Sequence, residues 1–183
     1  MLIIDNYDSF TYNIVQYIKI LKKEPIVIKN DELTLDEIKK LGFSRIIISP
    51  GWGNPDNSGV CMDVIDYYKD KTPILGVCLG MQCIAKYWGA KIVQAKNPCH
   101  GKNSNIYFDK DFKLFKGLKQ GFSATRYHSL EVKEICEKYI KAKTKDNVIM
   151  AIQIENKPVY GVQFHPEAIL SEGGIKIFKN FIN

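Results

Sequence analysis

Four short, almost wholly apolar runs occupy the first half of the chain, at residues 2–4, 26–28, 45–48 and 74–77, and each is followed by a stretch of helical character. A strand that is apolar at every position has no solvent face, so both sides of its sheet must be covered. Such strands alternating with helices imply parallel pairing, because a parallel neighbour is reached only through a crossover long enough to hold a helix. Residues 10–21 supply one such helix. Ile14, Val15, Ile18 and Leu21 recur at the three-and-four spacing of a single face, and Asp8 or Ser9 stands where a first-turn cap belongs.

The second half changes character. Segments 105–108, 121–126, 148–154 and 159–164 are joined by short polar links rather than helices, which predicts an antiparallel extension of the sheet. Residues 173–181 carry Ile177, Phe178 and Phe181 on one side and are expected to form a closing helix. The resulting fold class is α/β, a three-layer, open, twisted, mixed but mainly parallel sheet with helices on both faces. With 183 residues, 45% of them apolar, and no repeat or Gly/Pro/Ser-rich linker, residues 1–183 are expected to be a single domain with a sizeable core.

The formal charge of +6 comes from lysines dispersed singly or in pairs, such as Lys22 and Lys23, which is the pattern of a solvated surface. Without a basic block or aromatic interleaving, it argues against a nucleic-acid partner. No apolar run approaches the roughly 20 residues that span a bilayer. The opening Met-Leu-Ile-Ile-Asp has no basic leader and no small-residue cleavage site, so a soluble, cytoplasmic protein with no membrane partner is expected. The five cysteines, at 61, 78, 83, 99 and 136, are odd in number and lack Cys-x-x-Cys spacing. They fit reduced thiols rather than a disulfide or metal framework, and a thiol in a special context then becomes a candidate nucleophile.

Cys78 has that context. In Gly76-Val77-Cys78-Leu79-Gly80 it lies between an apolar strand and a helical run, with glycines two residues to either side. A strand that turns abruptly into a helix strains its corner residue, and flanking glycines give the turn room, as in a nucleophile elbow. The thiol is expected to be presented rather than buried, at a helix N-terminus whose free N–H groups favour the thiolate. The bland alternative is a small core hydrophobe. The base must come from His100, His128 or His165, and His165 is the best placed, at a predicted strand end. Residues two apart in an extended segment share a side, so in His165-Pro166-Glu167 the carboxylate is expected to reach the imidazole and fix its tautomer. Oxyanion donors are expected from the backbone N–H of Leu79 and, across neighbouring parallel strands, from Gly51 in Ser49-Pro50-Gly51-Trp52-Gly53.

Gly-Val-Cys-Leu-Gly-x-Gln, Ser-Pro-Gly-x-Gly and His-Pro-Glu, in that order over most of the chain, resemble the triad-type class I glutamine amidotransferases, which have a flavodoxin-like fold. The resemblance implies a catalytic set of Cys78, His165 and Glu167, and a glutamine site formed by Gly51, Trp52, Gly53, Gln82, Ser129 and Leu130, with no cofactor and no metal. Residues 3–13, His100-Gly101-Lys102 and Arg126-Tyr127-His128-Ser129-Leu130 further resemble the component II subunits of anthranilate and aminodeoxychorismate synthases. That likeness implies a chorismate-binding component I as partner, with Asn6, Tyr7, Asp8, Ser9 and Phe10 at the interface. The chain departs from the pattern at Trp52, where proline is usual, at Met81, where histidine is common, and at Ala168, where serine usually follows. Two other functions stay open at this level: an amidotransferase subunit for another acceptor, and a non-catalytic flavodoxin-like regulatory module.

Overall fold

A computed structural model describes all residues, 1–183. The chain runs through β1 (Leu2–Asn6), α1 (Thr11–Ile20), β2 (Ile26–Lys29), α2 (Leu35–Ile38), β3 (Ile46–Gly51), α3 (Cys61–Tyr68), β4 (Ile74–Val77) and α4 (Leu79–Tyr87). It continues through β5 (Lys91–Phe108), β6 (Phe122–Lys133), β7 (Ile140–Thr144), β8 (Ile149–Gln153), β9 (Val159–Val162) and α5 (Gly174–Ile182). All nine strands form one sheet in the order β2-β1-β3-β4-β9-β8-β7-β5-β6. Pairing is parallel from β2 to β9 and antiparallel from β9 to β6.

The two covered faces are visible in the alternation of core residues. Leu2, Ile4, Ile46 and Ile48 pack with α2, α3 and α4 on one side. Ile3, Ile47, Leu75 and Val77 pack with α1 and α5 on the other. Both sets are fully buried, which explains why the strands read as unbroken apolar runs. No helix is long and apolar enough to cross a membrane.

Three expectations change in detail, and one strand is added. Helix α1 is not capped by the side chain of Asp8 or Ser9; Phe10 is its N-cap residue, and the Asp8 carboxylate instead accepts the Phe10 N–H at 2.8 Å, one step before the helix. The segment 159–164 is not wholly part of the antiparallel extension, because β9 pairs parallel with β4 on one side and antiparallel with β8 on the other. Strand β5 begins well before residue 105, since breaks in register near Pro98 and Gly101 let the ladder with β6 continue through residues that read as a turn. The added strand, β7, alternates Lys141 and Lys143 with Ile140, Ala142 and Thr144.

The strand-to-helix corner is built by two glycines. A Cβ on Gly76 would strike the Gly80 backbone, and a Cβ on Gly80 would strike the Ile48 carbonyl oxygen, so β3, β4 and α4 meet closer than any side chain permits. Their approach leaves the C-terminal ends of β1, β3, β4 and β9 around a single cavity, the usual place for a site in an open α/β sheet.

Candidate active site

Cys78 occupies the corner between β4 and α4 with φ 51° and ψ −103°, a left-handed conformation that a non-glycine residue adopts only under constraint. Its N–H is held by the Val162 carbonyl at 2.8 Å, and its own carbonyl accepts the Gln82 N–H at 3.1 Å. The residue is 6% exposed. It is therefore not displayed on the surface, as the elbow pattern suggested, but lies in a cavity of about 320 Å³ that His165 also lines. The cavity walls, contributed by the loops after β1 and β3 and by β6, account for the difference.

His165 follows β9, the strand next to β4, and is pinned by its N–H to the Thr125 carbonyl at 2.9 Å. Nδ1 pairs with Glu167 Oε1 at 2.7 Å, as expected, but for a different reason. The segment is not extended. The Ala168 N–H donates to the His165 carbonyl at 3.2 Å, and this turn swings Glu167 back onto the ring. Phe10 and Tyr127 flank the imidazole with centroids at 5.4 and 5.3 Å. Burial disfavours the charged ring, but the Glu167 carboxylate and the adjacent Cys78 sulfur outweigh it and raise the His165 pKa well above its ordinary value of 6.5. Nε2 is buried and has no hydrogen-bond partner.

His128 is excluded as the base by its own bonds. Its Nδ1 meets the Leu130 carbonyl at 2.8 Å and its Nε2 accepts from Arg126 Nε at 2.9 Å, so both nitrogens are occupied in the neutral ring. Burial and the Arg126 charge lower its pKa to about 4. His100 lies exposed on the cavity wall.

The expected glutamine contacts Gly51, Trp52, Gly53, Gln82, Ser129 and Leu130 all line this cavity. A Cβ on Gly51 would strike Asn6 and come within 2.8 Å of the Leu79 side chain, so the two expected oxyanion residues are neighbours and glycine is required by close approach. Trp52 is 82% exposed, and its ring is not among the atoms that crowd Gly51. Met81 packs under Gly161, and Ala168 is buried in the turn beside Glu167.

Of residues 6–10, Asp8, Ser9 and Phe10 form part of the cavity wall and Tyr7 is exposed. Asn6 corrects the interface expectation. Its side chain is buried, donating to the Ser49 carbonyl at 3.0 Å and accepting from Asn30 at 2.9 Å, so it braces the β3 loop instead of facing a partner. Gln163, absent from the expected set, donates to the Cys78 sulfur at 3.6 Å. Its one sequence signal is a polar residue in an otherwise apolar strand run.

The family model described as Glutamine amidotransferase class-I matches residues 2–183. Anthranilate synthase component 2 of Cyanophora paradoxa is 50% identical, with all of this chain and 98% of the relative aligned. Aminodeoxychorismate/anthranilate synthase component 2 of Bacillus subtilis is 46% identical, with all of this chain and 95% of the relative aligned. Among solved structures, a Thermoplasma acidophilum protein described as a candidate GMP synthase subunit superposes with a TM-score of 0.87 at 27% identity, covering 99% of this chain and 90% of that one.

Proposed function

The chain belongs to the class-I glutamine amidotransferase family, and on that premise we propose that it takes ammonia from the side chain of L-glutamine and delivers it to a chorismate-using component I. The observation that carries the reading is the meeting of a strained cysteine corner and a buried imidazole with an open Nε2 in one cavity.

In this mechanism the Cys78 thiolate attacks the carboxamide carbon, and the Leu79 and Gly51 N–H groups meet the developing oxyanion. His165, charged through its pairing with Glu167, gives the Nε2 proton to the departing nitrogen. The C–N bond breaks, ammonia leaves, and a γ-glutamyl thioester remains on Cys78. The now neutral Nε2 then accepts a proton from water as the water attacks the thioester, and glutamate is released with the thiolate restored. Glu167 keeps the ring oriented throughout. Gln82 is suited to an amide-bearing substrate, since both Nε2 protons are used within the protein and Oε1 is left accessible from the cavity.

The component I partner is supported by the names of the full-length relatives at 46–50% identity, which are component 2 subunits. The decisive experiment replaces the nucleophile. In the complex with component I, Cys78→Ala is expected to lower glutamine-dependent product formation at least about a thousandfold, while added ammonium salt restores it. Glutamine use persisting in that variant would remove Cys78 from the role.

A further inference from the structure

Gln163 is fully buried between Val162 and Phe164, and a buried carboxamide must have its hydrogen bonds met. Oε1 accepts from Gln82 Nε2 at 3.1 Å, and Nε2 donates to the Cys78 sulfur at 3.6 Å. The direction of this relay is set at its far end. The Leu130 carbonyl can only accept, and it takes the other Gln82 Nε2 proton at 3.3 Å. Gln82 must then offer N–H to Gln163, Gln163 must answer with its oxygen, and its nitrogen is left facing the sulfur. The carboxamide thus donates a hydrogen bond to this sulfur from one side, while His165, whose raised pKa the sulfur supports, stands on another.

We propose that Gln163 is a positioning residue for the nucleophile: its Nε2–H fixes and stabilises the Cys78 thiolate, and through Gln82 it links the sulfur to the cavity wall that receives the substrate. The inference rests on the reading of Cys78 as the attacking group. A donor to a thiolate favours the charged form, so its loss acts on sulfur reactivity and leaves substrate affinity nearly untouched. The sulfur loses its negative charge on forming the thioester, so the bond matters most before attack.

Gln163→Glu keeps length and shape, still accepts from Gln82, and turns a carboxylate oxygen toward the sulfur. Gln163→Met keeps volume and removes the donor without adding charge. Both are measured in the complex with component I, by glutamine-dependent kcat and KM and by the pH profile of Cys78 alkylation with iodoacetamide, read on the Cys78 peptide by mass spectrometry. Expected are a fall in kcat of about tenfold or more with KM within about threefold, and an alkylation profile displaced to higher pH, further for Gln163→Glu than for Gln163→Met. Ammonium-dependent product formation is unchanged. Profiles superimposable on the parent in both variants would overturn the proposal even if activity fell, since a packing role alone does not move them. Failure of the nucleophile reading is separate, and appears as glutamine turnover by Cys78→Ala.

Discussion

His165 and Glu167 are joined by one hydrogen bond, Nδ1 to Oε1 at 2.7 Å, sealed from solvent, and it leaves Nε2 as the only uncommitted nitrogen of the ring. Each side chain is about 2% exposed or less, so neither charge is comfortable without the other. In Glu167→Gln the acceptor oxygen remains but the charge does not, and burial is then opposed only by the Cys78 sulfur. The titration midpoint of His165, followed by NMR, is expected to fall from its raised position toward the ordinary 6.5. Glutamine-dependent kcat is expected to drop by about 10²- to 10⁴-fold. A midpoint that stayed high would show that the carboxylate is not what charges the ring.

The two glycines of the corner and a surface glycine should behave oppositely. Gly80→Ala drives a methyl into the Ile48 carbonyl, a backbone atom that cannot step aside. A loss of about 1–3 kcal/mol in urea unfolding is expected, together with loss of glutamine use. Gly42 has nothing within 4 Å of the same position, and Gly42→Ala should be neutral or stabilising by up to about 1 kcal/mol. Equal stabilities for the two variants would contradict the close packing of β3, β4 and α4.

His128 makes stability depend on pH with a definite sign. Its folded value, about 4, lies below its unfolded value near 6.5, so as pH falls the unfolded chain takes up the proton first. Its contribution is complete above about pH 6.5 and is lost between there and about pH 4, amounting to at most about 3.5 kcal/mol at about 1.4 kcal/mol per unit. His128→Gln should flatten the unfolding free energy across that window relative to the parent. An unchanged slope would mean the ring is protonated in the folded protein.

Ile169 is 93% exposed and Leu170 62%, immediately after the turn that holds Glu167. With component I as the proposed partner, this exposed apolar pair is a candidate docking contact. Ile169→Glu with Leu170→Glu is expected to weaken the complex at least about tenfold, and to reduce glutamine-dependent product formation at limiting component I. Product formation at the parent's affinity would place the docking face elsewhere.

The parallel half was legible because strand segments buried on both faces must be apolar, and residues 2–4 of β1, 46–48 of β3 and 74–77 of β4 are. The nucleophile was legible for a local reason: Gly76 and Gly80 record a backbone crossing that only glycine tolerates. Beyond that, residue spacing led to right contacts on wrong grounds or missed them. Glu167 reaches His165 through a turn, not an extended segment. Asn6, expected at the surface, is turned inward by Ser49 and Asn30, which lie 43 and 24 residues away in the chain. Gln163 meets Cys78 across 85 residues, and no pattern confined to one segment encodes such a meeting. Lysine-rich β7 is a strand because its neighbours offer edges, not because of its own composition.

Strand β9 is the seam where the parallel and antiparallel halves of the sheet are joined, and it delivers Gln163 and His165 from the last quarter of the sequence. A chain that ends before β9 lacks the Val162 carbonyl that holds the Cys78 N–H as well as Gln163 and His165, so the bend at the sulfur and its neighbours come together only when the last strand is in place.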